Sequence, residues 1–89
     1  PVNFYLVDTR TREEYLEGHM PGAIQIDYRE IRDDPPTDDR DALIVVYCLR
    51  GIRSNRAART LRRMGYRNVL DWGGIRDWPH EVVTGPDPF

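Results

Sequence analysis

Leu43-Ile44-Val45-Val46-Tyr47-Cys48-Leu49-Arg50-Gly51-Ile52-Arg53-Ser54 is the stretch that decides how this chain folds. Residues 43–47 form a continuous β-favouring apolar run, the pattern of a central parallel strand covered on both faces. Over residues 53–64, Ala57, Ala58, Leu61 and Met64 recur at helical spacing, with Arg56, Arg59 and Arg63 on the opposite side. Cys48, the only cysteine, therefore falls between a buried strand and a helix N-terminus. Such a terminus offers free backbone N–H groups and a partial positive charge. Both lower a thiol's pKa and hold an anion, so Cys48 is placed to be a thiolate nucleophile. Gly51 permits left-handed backbone geometry. The N–H groups of residues 49–54 can then turn inward as an anion nest, with Arg50 and Arg53 adding positive charge at its mouth.

The pattern on either side alternates strand and helix. Residues 4–8 read as a short buried strand ending in Asp8. Residues 11–18 read as a helix capped by Thr11, with Glu14 in capping-box position and Gly18 at its end. His19-Met20-Pro21-Gly22 makes a turn. Residues 23–27 read as a second strand, residues 28–32 as about one helical turn, and the acidic, Pro35-Pro36-containing segment 33–41 as an exposed loop. After the central strand and long helix, with Gly65 as its C-cap, residues 68–71 form a further strand. Gly73-Gly74 then leads into a short helix, 75–78, stopped by Pro79. Short connections between alternating strands and helices imply a parallel α/β sheet with helices on both faces, in one domain, 1–89. Ligands of such sheets bind beyond the carboxyl ends of the strands, where Asp8, Asp27 and Cys48 all fall.

Composition narrows the function. At 89 residues with 39% apolar and 31% charged side chains, the chain can bury one core and is not a disordered tail. The apolar run 42–48 is too short to span a bilayer. A net charge of −2 argues against nucleic acid as a default partner. All thirteen basic residues are arginine, which excludes a catalytic lysine. One cysteine excludes an internal disulfide and a cysteine-rich zinc site. No metal-ligand spacing and no glycine-rich nucleotide loop occurs, so no metal and no cofactor are expected. No signal-peptide pattern opens the chain, whose first residue is Pro1. The cytoplasm is the default compartment, with the periplasm as the alternative if a leader was removed.

Spacing separates two kinds of cysteine chemistry. Cysteine-dependent phosphatases place arginine six positions after the cysteine; here Arg53 is five positions after Cys48 and Ser54 is sixth. A smaller ring of amides suits a single sulfur atom better than a tetrahedral phosphate. Along nearly its whole length the chain resembles the rhodanese family of sulfurtransferases. The likeness rests on Leu6-Val7-Asp8-Thr9-Arg10, on Glu14-Tyr15 with Gly18-His19-Met20-Pro21-Gly22-Ala23, on residues 46–54, and on Met64-Gly65-Tyr66 with Asn68-Val69 and Gly73-Gly74-Ile75-Arg76-Asp77-Trp78. The resemblance implies a rhodanese-like domain with a five-stranded parallel sheet and a cysteine that carries a sulfane sulfur as a persulfide. Cys48 would be that cysteine. Leu49, Arg50, Gly51, Ile52 and Arg53 would bind substrate through the loop, and Asp8, Arg10, His19 and Ser54 would support the site. Many members have arginine directly after the cysteine, whereas here Leu49 precedes Arg50, which bears on the shape and charge of the mouth. The implied partners are a small anionic sulfur donor such as thiosulfate and a thiol, cyanide or protein acceptor, with no nucleic acid, no membrane and a monomeric chain.

Blander readings stand beside these. A lone cysteine after an apolar strand is ordinarily a small buried hydrophobe; the loop that follows Cys48 turns the balance toward chemistry. His19 beside a Pro-Gly turn reads as a structural hydrogen-bonder, and His80 has no evident partner. Trp72 and Trp78 read as packing residues, and the arginines of the long helix as a solvated face. The competing functions are a non-catalytic interaction module of the same fold and a phosphatase or arsenate reductase.

Overall fold

The computed structural model describes residues 4–89 and places the 43–48 run at the interior of a parallel sheet. The strands are β1 (Phe4–Asp8), β2 (Ile24–Gln25), β3 (Leu43–Cys48) and β4 (Asn68–Gly74), with helix α1 (Arg12–Glu17) between β1 and β2 and helix α2 (Ile52–Arg63) between β3 and β4. A single 3-10 turn, Ile75–Asp77, follows β4. The sheet order is β2-β1-β3-β4 and every pairing is parallel.

Alternation along β3 distributes the core between two faces. Ile44 and Val46 meet Val7, Ala57, Ala58 and Leu61 under α2, whereas Tyr47 meets Tyr15, Met20 and Ala23 on the α1 face. The continuous apolar run is thus explained: both faces of β3 are covered. Helix α1 begins as its sequence requires. The Thr11 hydroxyl accepts from the Glu14 N–H at 3.2 Å, and the Glu14 carboxylate accepts from the Thr11 N–H at 3.2 Å.

Several expectations are corrected. Among the described residues the sheet has four strands, not five, and only two α-helices flank it. The 23–27 stretch pairs with β1 only at Ile24–Gln25. The tail contributes one isolated antiparallel bridge, His19 with Val83, in a segment where Pro79, Pro86 and Pro88 lack the N–H a ladder needs. Residues 28–32 form hydrogen-bonded turns and no helix. The Asp27 carboxylate accepts the Arg29 N–H at 2.9 Å, as a helix cap would, but only turns follow it. Helix α2 starts at Ile52 and is capped at Met64, with Gly65 next at φ 98°.

Strand β4 runs three residues beyond its predicted end because it carries a bulge: Val46 pairs with Asp71 but Tyr47 with Gly73, leaving Trp72 as the extra residue. The bulge brings the Gly73-Gly74 pair beside the loop after Cys48. A Cβ on Gly74 would lie 2.3 Å from the Leu49 carbonyl oxygen, so only glycine allows this approach. The same Leu49 carbonyl oxygen accepts the Arg76 N–H at 3.4 Å, which fastens the loop to the turn after β4.

Candidate active site

Cys48 is the last residue of β3 and is 1% exposed. The chain then reverses within Leu49-Arg50-Gly51 and enters α2. Gly51 makes this possible by adopting φ 105°, a left-handed conformation that L side chains resist. Its N–H points back at the sulfur, 2.9 Å from Cys48 Sγ. The thiol donates to Ser54 Oγ at 3.5 Å. Burial pushes the thiol pKa up, but the Ser54 hydroxyl and the N–H groups of Ser54, Gly51 and Arg50 outweigh it and hold the group below the ordinary thiol range. The sulfur opens into a depression of about 190 Å³ lined by Cys48, Leu49, Arg50, Ile52 and Arg53. Five of the sequence-predicted residues therefore surround one mouth. Its rim is apolar as well as basic, with Ile52 71% exposed and Leu49 36% exposed.

Ser54 is fixed by a partner that sequence reasoning missed. Its hydroxyl donates to Asp71 Oδ1 at 2.7 Å, with the Gly51 and Gly73 carbonyl oxygens at 3.2 and 3.4 Å. The same Asp71 oxygen accepts the Gly73 N–H at 3.1 Å. Asp71 thus ties the first turn of α2 to the bulge of β4. No local signal announces this, because the two residues lie on different elements.

Arg53, on the rim of this mouth, also has a carboxylate partner. Its guanidinium forms a two-pronged pair with Glu14, Nη1 to Oε1 at 2.7 Å and Nη2 to Oε2 at 3.0 Å. The Arg53 guanidinium, seconded by Thr11, holds the Glu14 carboxyl at about 2, well below its ordinary 4.5. Much of the Arg53 charge is balanced within the protein, so Arg53 is not the free cation the sequence suggested. Arg50 is exposed and has no ion-pair partner among the described residues, which leaves it as the open positive charge at the mouth.

Asp8, Arg10 and His19 are all buried, and none of them hydrogen-bonds to the sulfur. Asp8 receives the Arg10 guanidinium at 2.7 Å, the Arg10 N–H at 3.0 Å and the Tyr47 hydroxyl at 2.9 Å. Tyr47 is the neighbour of Cys48 and accepts the Met20 N–H at 3.0 Å. Burial and the Asp8 charge keep its phenol protonated far above the ordinary range. Arg10 also donates to Gly18 O at 2.6 Å. This network locks the end of β3 to β1 and to the turn after α1. His19 stacks on Tyr15 at 3.7 Å, and its ring nitrogens lie 2.8 Å from the carbonyl oxygens of Tyr15 and Asp87. It fastens the tail to α1. His80, for which the sequence offered no partner, sets its ring edge-on to Trp78, as Trp72 does from another side.

Among the described residues no cluster of three His, Cys, Asp or Glu side chains could hold a metal ion, and no helix is long and apolar enough to cross a membrane. The chain matches the family described as rhodanese-like domain over residues 1–81. It is 36% identical over 81 residues to the thiosulfate sulfurtransferase PspE of Escherichia coli, covering 89% of this chain and 78% of that protein. It is 39% identical over 79 residues to a tRNA uridine(34) hydroxylase of Erwinia tasmaniensis but spans only 23% of that protein. A solved structure, a rhodanese with anions from E. coli, superposes with a TM-score of 0.83 at 32% identity, covering 92% of this chain and 99% of that one. A rhodanese-like domain protein from Staphylococcus aureus superposes at 0.79 with 29% identity, covering 94% and 81%. A buried cysteine at a strand end, an amide-lined loop and an α/β parallel sheet agree with these likenesses, and the chain belongs to the rhodanese-like domain family.

Proposed function

We propose that the chain, as one rhodanese domain over residues 1–89, moves a sulfane sulfur from thiosulfate or a persulfide donor to a thiophilic acceptor through a persulfide on Cys48. The observation that carries this reading is the Gly51 N–H at 2.9 Å from Cys48 Sγ, at the mouth of α2. A sulfurtransferase role in general is supported by family membership and by the thiosulfate sulfurtransferase among the relatives.

The chemistry needs no proton transfer. The Cys48 thiolate attacks the outer sulfur of thiosulfate, a new S–S bond forms, the old one breaks, and sulfite leaves with the electron pair. The persulfide so formed carries its negative charge on the outer sulfur, into the ring of loop amides. An acceptor thiolate or cyanide then attacks that outer sulfur, and Cys48 departs as a thiolate. This is covalent ping-pong catalysis. A thiol held below its ordinary pKa by amides and by Ser54 supplies the nucleophile without a general base. Arg50 is the group that meets an anionic donor. Leu49, Gly51 and Ile52 shape the ring, and Asp8, Arg10, His19 and Ser54 hold the surrounding framework.

Steady-state kinetics with thiosulfate and cyanide test the proposal. Parallel double-reciprocal lines with thiocyanate as product are the expected result. Intersecting lines would overturn the persulfide route, and no thiocyanate with any sulfane donor would overturn the proposal in favour of an interaction module.

A further inference from the structure

The outer face of α2 carries a charge arrangement that the sulfur chemistry does not use. Ile52, Arg56, Arg59 and Arg63 lie at i, i+4, i+7 and i+11, directly opposite the buried residues Ser54, Ala57, Ala58 and Leu61. All four outward residues are exposed. The stripe is about 16 Å long at 1.5 Å per residue, and its first member, Ile52, is also part of the rim around Cys48. Two shallow depressions follow it, one of about 310 Å³ lined by Arg56, Arg59, Thr60 and Arg63, and one of about 400 Å³ lined by Arg32, Thr60, Arg63 and Met64.

The arginines here are unpaired, as Arg12, Arg32, Arg50 and Arg76 also are among the described residues, but only here do three line up on one helix face. Arg10, Arg29, Arg53 and Arg67 each have a carboxylate partner. Arg56, Arg59 and Arg63 have neither an ion pair nor a side-chain hydrogen bond among the described residues, although the chain carries 15 acidic residues. Like charges at three- and four-residue spacing weaken a helix. The helix dipole offsets this for Arg63, in the last turn, but not for Arg56 or Arg59. Positive charge is therefore concentrated on one face of a chain whose net charge is −2.

We infer that this stripe docks an acidic segment of a protein that exchanges sulfur with Cys48, laying the segment's carboxylates along Arg56, Arg59 and Arg63 and its reactive thiol at the Ile52 end. This deepens, and rests on, the sulfurtransferase reading. The occupant follows from charge and from the rim. Exposed Ile52 and Leu49 beside the sulfur suit an apolar stretch of polypeptide. Glu30, Asp33 and Asp34, exposed around Arg32, repel a long polyanion that continues past the stripe, and no aromatic side chain lines either depression on which a base would stack.

The test uses the full chain and the variant Arg56→Gln, Arg59→Gln, Arg63→Gln, none of whose positions lines the sulfur mouth. The probes are a glutamate-rich peptide with one cysteine, a glutamine-rich counterpart, and a single-stranded oligonucleotide of equal charge. Binding is followed by fluorescence anisotropy at low and high salt, and sulfur discharge from the thiosulfate-loaded protein is followed to each peptide and to cyanide. The glutamate-rich peptide is expected to bind about tenfold more tightly than its counterpart, as three exposed charge pairs would give. That preference should vanish in the variant and at about 1 M salt, where charges more than about 3 Å apart are screened, while discharge to cyanide stays the same in both proteins. Equal binding of the two peptides, binding unchanged in the variant, or preference for the oligonucleotide would overturn the inference. Because binding needs no sulfur transfer, a protein that fails to load sulfur would refute the catalytic reading separately and leave the docking result to be judged by binding alone.

Discussion

Replacing Glu14 by glutamine removes a charge from the clamp between α1 and the first turn of α2 while keeping the side chain's length. A glutamine oxygen can still accept the Thr11 N–H, so the capping box survives and the ion pair to Arg53 is what is lost. A carboxyl held at about 2 instead of 4.5 corresponds to roughly 3 kcal/mol at 1.36 kcal/mol per tenfold in proton affinity. The pair is partly open to water, with side chains 28% and 29% exposed. Solvent screening brings the expected loss down to about 1–2 kcal/mol at neutral pH. The sign follows from the depressed pKa. Glu14 contributes its full stabilisation above 4.5, the value of the unfolded chain, and the contribution is lost as pH falls toward about 2. Urea unfolding of wild type and Glu14→Gln from pH 7 down to about pH 2 should therefore give two stability curves that converge as pH falls. A difference that is the same at all pH values, or absent at pH 7, would show that the pair does not hold the helix.

Gly51→Val should impair sulfur loading. A Cβ there meets Gly73 at no closer than 3.6 Å, so the Cβ itself fits and the φ of 105° sets the minimum cost. About 1–3 kcal/mol of strain is expected, with the loop N–H groups turned away from the sulfur; unchanged loading kinetics would contradict the amide-ring argument. Thiolate formation at Cys48, followed by ultraviolet absorbance against pH, should be half complete below the value of about 8.5 of an ordinary thiol, in line with the depressed pKa; a titration at or above that value would refute it. His19→Ala deletes a buried ring that stacks on Tyr15 and contacts two carbonyl oxygens. It should cost about 2–4 kcal/mol and expose the tail around Val83 to proteases; a variant as stable and as resistant as wild type would show that His19 does not fasten the tail.

The parts of this molecule legible in its sequence are those specified locally. The 43–47 run identifies a strand with two covered faces, Thr11 and Glu14 identify a capping box three residues apart, and the glycine after Cys48 announces a tight turn into a helix. What escaped the sequence is long-range. Glu14 and Arg53 lie on different helices, Asp71 and Ser54 on a strand and a helix, and Tyr47 and Asp8 on neighbouring strands. In each pair, neither residue's neighbours in the chain name the other. The bulge at Trp72 was invisible for the same reason, since it exists only in the register of β4 against β3. The stretch 28–32 is too short for a propagated helix and closes as hydrogen-bonded turns behind the Asp27 cap.

A persulfide on Cys48 is read out by weighing the intact protein after brief exposure to thiosulfate and removal of the excess. The expected result is a gain of one sulfur atom that is absent in Cys48→Ser, a near-isosteric change that should leave stability little altered, and that is removed by cyanide with release of thiocyanate. No added sulfur from thiosulfate or from a protein persulfide, or a gain that persists in a folded Cys48→Ser variant, would contradict it.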